Sequence, residues 1–279
     1  MEEFLPELPE AETMARDLAN IMVGRTIKDV LVAYPPIVAS DRRTFAARLI
    51  GQTVTGTGRL GKWLRLELDS GGALLVHLKM TGQFILDHWP GSLDGPWPAH
   101  AHAAFLTNDP QKTLFYRDTR KFGKLRAFSA EELGEFLSQL NLGPDALLID
   151  PEQFYQRISS RRGRLKAVLL DQAVVAGLGN IYADECLFAA GLSPLGEARA
   201  ITREQAFILH AQINRILSEA IELRGSTVNN YLSLERPGTY QSRHQVYGKA
   251  GSLCPRCQTP LLRSTVGGRT TISCPVCQK

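Results

Sequence analysis

Ala11, Met14, Leu18 and Ile21 recur at three- and four-residue spacing, the period of a helix with one apolar face, and Gly24 stands where that helix would stop. Beyond it the period shortens. Leu64, Leu66 and Leu68 alternate with Trp63, Arg65 and Glu67, as in a strand buried on one face. The runs 74–79, 103–107 and 114–116 have strand length and lie between turn signals, and 87–99, rich in Pro, Gly and Asp, reads as a surface loop. Residues 1–128 thus predict a β-sandwich or barrel with a leading helix.

The helical period returns at Ser129, ahead of Glu131 and Glu132. Thr202 and Gln205 have capping-box spacing before a helix whose apolar members are Phe207, Ile208, Ile213, Ile216, Leu217 and Ala220, with Gly225 at its exit. Between Leu165 and Ala190 two apolar helical stretches flank Gly177-Leu178-Gly179-Asn180. A tight glycine turn between helices can aim backbone N–H groups and the Asn180 side chain at a phosphate, and it can equally serve chain geometry alone. Residues 226–243, polar and containing Pro237-Gly238, read as a mobile loop. The class is α+β and multidomain, divided at 1–128, 129–243 and 244–279.

The last segment changes the picture most. Cys254, Cys257, Cys274 and Cys277 form C-x2-C-x16-C-x2-C, two close pairs able to converge on one tetrahedral ion, and thiolates suit structural zinc. Two disulfides are the alternative, in an oxidising compartment. Arg243, Lys249, Arg256, Arg263, Arg269 and Lys279 surround these cysteines with no acidic residue among them, which fits a polyanion; a zinc hairpin can also be a plain structural cap. All four metal positions being cysteine, no place remains for an activated water, which argues against a hydrolytic zinc enzyme. The fifth cysteine, Cys186, has an apolar helical context and reads as core. With 279 residues, 44 % of them hydrophobic and 22 % charged, the chain is ordinary globular protein. It shows neither a signal-peptide pattern nor an apolar run long enough for a bilayer, so a cytosolic location is expected.

Several segments in order resemble one family. They are Pro6-Glu7-Leu8-Pro9-Glu10, the GKW segment around Lys62, HLKMTG at 77–82, RDTRKFG at 117–123, GLGNIYADE at 177–185, VYGK at 246–249 and the cysteine hairpin ending CPVCQK. From residue 5 onward the chain is similar to the bacterial formamidopyrimidine-DNA glycosylases, relatives of endonuclease VIII. The resemblance implies an N-terminal two-layer β-sandwich, a helix-two-turn-helix domain and a zinc finger, acting as a monomer on duplex DNA that contains oxidised bases or abasic sites. It implies Pro6 as the amine nucleophile and Glu7 as its neighbouring acid, with Lys62 and Arg269 holding phosphates beside the lesion. Asn180, His100, Arg120 and Arg161 match DNA-contacting positions, His100 in competition with nearby His102. Met80, Arg120 and Phe122 match the trio that fills the space left by an extruded nucleotide.

The sequence also departs from the family. Met1-Glu2-Glu3-Phe4-Leu5 precede Pro6, so its nitrogen is an amide in the chain as written. Leu5 stands where the family has its initiator methionine, so a start at that codon would expose Pro6 after methionine removal. Processing of a real extension, or a relative that binds damaged DNA without lyase chemistry, are the other accounts. Thr119 and Lys121 replace proline and arginine, and Asn229 and Asn230 replace a basic-acidic pair before the loop around 239–244 that covers the flipped base in the family. The resemblance favours oxidised purines over the oxidised pyrimidines of an endonuclease VIII-like enzyme.

Overall fold

In the computed structural model the described residues are 5–89, 95–227, 232–234 and 236–279. Met1–Phe4, Asn229 and Asn230, where the sequence departs from the family, lie outside the described residues. The chain falls into two compact units, one spanning 3–140 with 224–238, the other 141–223 with 239–279.

The first unit opens with α1 (Leu8–Met22) and contains two four-stranded antiparallel sheets. Its other elements are β1 (Ile27–Val32), α2 (Arg42–Ala47), β2 (Val54–Leu60), β3 (Trp63–Leu68), β4 (Ala73–His77), β5 (Gly82–Asp87), β6 (Ala101–Thr107), β7 (Thr113–Asp118), β8 (Lys124–Phe128) and α3 (Ala130–Gln139). The sheet orders are β1-β6-β7-β5 and β2-β3-β4-β8. Alternation in β3 is as expected, with Leu64, Leu66 and Leu68 buried. Strands β5 to β7 are buried on both faces. Trp89 and Trp97, from the segment expected to be a plain surface loop, cover the outer face formed by Ile85, Ala101, Ala104 and Phe115.

α3 belongs to this unit, because Leu133 packs on Ala73 and Leu75 with Phe128 and Phe136 stacked beside them. Residues 224–238 join it through Arg224 and Ser233, both bonded to the Asp17 carboxylate of α1. The sequence division at residue 128 therefore falls one helix early, and the 226–243 loop is anchored in part rather than free. Ser226, for instance, is buried.

The second unit holds α4 (Pro151–Ser159), α5 (Leu165–Leu170), α6 (Asn180–Ala190), α7 (Arg203–Glu222) and the hairpin β9 (Leu262–Val266) with β10 (Arg269–Ser273). The Thr202–Gln205 capping box starts α7 as expected. Its first buried residues are Ala206 and Leu209, however, while Ile208 is exposed. The apolar period allowed either phase, and packing selected the smaller alanine. The cysteine hairpin is not a separate body, since Phe188 of α6 shares a core with Val246, Cys254, Leu261, Ile272 and Cys274. Among the described residues no helix is long and apolar enough to cross a membrane.

Candidate active site

Pro6 and Glu7 form a fixed corner at the start of α1. Glu7 is the N-cap of α1, with extended backbone and a capping box to Glu10. Its amide donates to Glu10 Oε2 at 2.8 Å, and Glu10 Oε1 accepts the Ser226 amide at 2.8 Å. Pro9 sits in the first turn, where a missing N–H costs the helix nothing. Pro6 is buried and Glu7 is only 1 % exposed. Glu10 was legible only as part of the motif; its spacing of three from Glu7 is the signal for its capping role.

Lys62 lies in the two-residue turn between β2 and β3, where Gly61 supplies the positive φ (57°) that such a hairpin needs. Thr57 bonds to Ala15 and Arg59 to Glu12 of α1, so β2 runs back along the helix and its tip heads for the helix start. His77, which pairs with Trp63 across the sheet, belongs to the same neighbourhood. Its Nδ1 accepts the Lys79 amide at 3.1 Å. Burial, then the charges of Lys79 and Lys62, hold the imidazole down to about 3. The ring is therefore neutral at pH 7.

In the second unit, burial and then Lys249 likewise hold His244 down to about 4. Both imidazoles titrate near 6.5 when unfolded, so the unfolded chain binds more protons below that pH and stability falls as pH drops from about 6.5 toward 4. Thermal melting is expected at a lower midpoint at pH 5 than at pH 7, with the difference reduced in a His77→Gln, His244→Gln double variant. An undiminished difference would assign the acid sensitivity to other groups.

Two turns project Met80, Arg120 and Phe122 from the first unit. Met80 is half-buried between β4 and β5; Phe122, between β7 and β8, is 50 % exposed, with the Arg120 guanidinium 4.9 Å from its ring centre. Read without the resemblance, both apolar residues would be core, and the turns place them outside it. The two histidines differ in setting. His102 is buried, bonds to the Asp118 carbonyl at 2.9 Å and packs on Tyr34, whereas His100 is exposed in the turn before β6.

Asn180, Arg161 and Arg269 lie in the second unit. Asn180 is the first residue of α6, whose N-cap is Gly179 with no side-chain cap. Gln172 holds the preceding turn, accepting from the Gly177 amide at 3.0 Å and donating to the Leu178 carbonyl at 2.8 Å. Asn180 Oδ1 has no hydrogen-bond partner among the described residues. Arg161 is exposed just after α4.

Arg269 begins β10, and a buried ion pair that sequence reading missed fixes that strand. Lys166 Nζ lies 2.7 Å from Asp184 Oδ1 and donates to the Thr270 carbonyl and Thr271 Oγ1, both at 2.9 Å; Asp184 Oδ2 accepts the Ile272 amide at 3.1 Å. Their pairing is not legible in sequence, because both helices are largely buried and no local pattern marks which residues meet. The stretch 239–244 is a short 3-10 turn whose Tyr240 and His244 are buried, Tyr240 packing on Tyr182 and His244 on Tyr247.

The cysteines come together as their spacing required. All four sulfurs lie within 4.8 Å of one another, with Sγ–Sγ distances of 3.9 Å for Cys254–Cys277 and 3.4 Å for Cys257–Cys274, and none is in a disulfide. A tetrahedral ion with sulfurs about 2.3 Å away has edges of about 3.8 Å, so the group can hold a metal ion.

Comparison with known proteins gives first the class. Residues 5–125 match the formamidopyrimidine-DNA glycosylase N-terminal domain and residues 142–231 the formamidopyrimidine-DNA glycosylase H2TH domain, the domain pair of a DNA glycosylase. The formamidopyrimidine-DNA glycosylase of Geobacillus kaustophilus is 40 % identical over 99 % of this chain and 100 % of its own length. That of Bacillus subtilis is 39 % identical over 98 % of this chain and 99 % of its own. Among solved structures, the Lactococcus lactis Fpg bound to abasic-site DNA superposes with a TM-score of 0.89 at 35 % identity, covering 98 % of this chain and 99 % of that one. A variant of it bound to DNA containing Fapy-dG gives 0.90 at 35 % identity, covering 98 % and 100 %. The chain belongs to the formamidopyrimidine-DNA glycosylase family.

Proposed function

We infer that this protein is a base excision repair enzyme that removes oxidised purines, 8-oxoguanine and formamidopyrimidine, from duplex DNA and then cuts the strand as an AP lyase. The observation that carries this reading is the buried Glu7 carboxyl, held next to Pro6 at the start of α1 by the capping box, in a chain of this family. In the reaction the secondary amine of Pro6 attacks the sugar carbon that bears the damaged base, the base leaves with the bonding electron pair, and Glu7 protonates the ring oxygen as the sugar opens. The resulting iminium acidifies the neighbouring sugar carbon, so loss of a proton expels the 3′ phosphate and a second elimination expels the 5′ phosphate. An amide nitrogen cannot do this, since its lone pair is delocalised into the carbonyl. The active polypeptide therefore has Pro6 as its first residue.

Lys62 and Arg269 hold phosphates beside the lesion, Arg269 as a bidentate donor. Asn180, at the start of α6, takes another phosphate, and Arg161 and His100 make further backbone contacts. Met80, Arg120 and Phe122 occupy the space left by the extruded nucleotide. The four cysteines bind one structural zinc ion, which holds the finger hairpin folded and takes no chemical step. The protein works as a monomer in the bacterial cytosol.

The test uses protein prepared to begin at Pro6, mixed with 8-oxoguanine duplex and borohydride. Reduction of the iminium is expected to give a covalent protein–DNA adduct visible by intact mass, and a duplex with an oxidised pyrimidine less of it. Binding without any adduct would establish a damage-binding relative instead.

A further inference from the structure

We propose that Asp118 is the positioning residue of the DNA wedge, its carboxylate locking the turns that carry Met80, Arg120 and Phe122 into one rigid tool. The inference rests on the reading of those three side chains as void fillers and adds a residue that does not itself face DNA. Asp118 ends β7 and is fully buried. Its Oδ1 accepts the Thr81 hydroxyl and, at 3.2 Å, the Arg120 amide; its Oδ2 accepts the Gly123 amide at 2.7 Å. Thr81 closes the triangle by accepting the Arg120 amide at 3.0 Å. The backbone of the same residue reaches a third turn, its amide donating to the His100 carbonyl at 3.0 Å and its carbonyl bonding His102 Nε2 at 2.9 Å.

A wedge needs such a lock. Inserting a side chain between stacked bases costs a few kcal/mol per step, and a compliant turn would bend before the stack opened. Phe122 is half exposed and so lacks the packing that would hold it by itself. Each turn also carries a non-glycine residue in the left-handed region beside a wedge residue, Lys79 at φ 55° before Met80 and Lys121 at φ 61° between Arg120 and Phe122. Such conformations persist where surrounding bonds over-determine them, and the carboxylate supplies those bonds on both turns. The turns close tightly around it. A side chain on Gly123 would begin 1.8 Å from Tyr116 Oη and 3.0 Å from Asp118 Oδ2.

Asp118→Asn preserves volume but sets an NH2 group against one of the amide donors, so one side of the lock opens. Thr81→Val removes only the hydroxyl, and Thr81→Ser keeps it. Each variant, with Met80→Ala as reference for a blunted wedge, would be measured on an 8-oxoguanine duplex and on a single strand carrying an abasic site, where no nucleotide has to leave a stack. Fluorescence of a 2-aminopurine beside the lesion reports unstacking on binding, independently of chemistry.

Asp118→Asn and Thr81→Val are expected to lower duplex excision about 10- to 100-fold, the scale of an ångström misplacement, and to blunt the fluorescence rise. Cleavage of the single strand should stay within about threefold of wild type, and Thr81→Ser should restore the duplex rate. Equal losses on both substrates, or an unchanged fluorescence rise in both Asp118→Asn and Thr81→Val, would overturn the proposal. Should Asp118→Asn fail to fold, Thr81→Val against Thr81→Ser decides it alone. A wild-type protein that unstacks 2-aminopurine yet cleaves neither substrate would refute the catalytic reading and leave the wedge to be judged by fluorescence.

Discussion

Glu7→Gln, in protein that begins at Pro6, is expected to bind lesion duplex as tightly as wild type and to excise 8-oxoguanine about 100- to 10,000-fold more slowly, the range that a general acid contributes. The substitution is nearly isosteric. Its amide oxygen can still serve the cap, and the Glu7 backbone amide keeps its bond to Glu10 Oε2. What disappears is a titratable proton at the sugar oxygen, so the loss belongs in the single-turnover rate and not in affinity. Elimination from a preformed abasic site should slow as well, because the same carboxyl moves protons in both stages. Glu10 differs in kind: both its oxygens accept backbone amides, from Glu7 and Ser226, which fixes the corner without offering a group to substrate. A Glu7→Gln enzyme retaining more than a tenth of the wild-type single-turnover rate would remove Glu7 from the acid role.

Local pattern was enough wherever the structure is locally determined. The alternation of Leu64, Leu66 and Leu68, the capping spacings at Ser129 and Thr202 and the cysteine pairs each produced the expected element. What could not be read depends on partners far away in sequence. The first turn of α1 follows Pro6 and contains Pro9, and it forms where Glu7 and Glu10 cap one another. Trp89 and Trp97 cover a sheet face that no short window reveals. Asp17 draws Arg224 and Ser233 into the first unit from more than 200 residues away, and Lys166 reaches β10 over 104. The resemblance supplied the residues proposed to face DNA by position. It was silent on the buried groups behind them, Asp184 bonded to β10 and Asp118 bonded to Thr81, Arg120 and Gly123, because only the fold brings those partners together.

Removing the metal is expected to abolish the DNA affinity contributed by the finger while leaving the first unit folded. β9 and β10 make one two-stranded ladder of five residue pairs, an element too small to be stable in water unaided. Its apolar support, Val246, Leu261 and Ile272 against Phe188, is a minor core built around the buried Cys254 and Cys274. Structural zinc binding is worth about 10–16 kcal/mol in small fingers, more than this ladder and its bonds to Lys166 and Asp184 are expected to supply, so metal loss is expected to unfold the hairpin. Chelation, or Cys274→Ser, therefore releases the ion and melts β10, and Arg269 loses its fixed direction together with the strand. Affinity for abasic duplex should fall at least about 100-fold, or roughly 2.7 kcal/mol, with metal content per chain falling from one to zero. The acid corner at Glu7 belongs to the other compact unit and has its own core, so near-ultraviolet signals from Trp63, Trp89 and Trp97 should persist. Metal-free protein with undiminished affinity would reduce the finger to a structural cap and take Arg269 out of DNA binding, whereas collapse of the tryptophan signals would show that the two units fold as one.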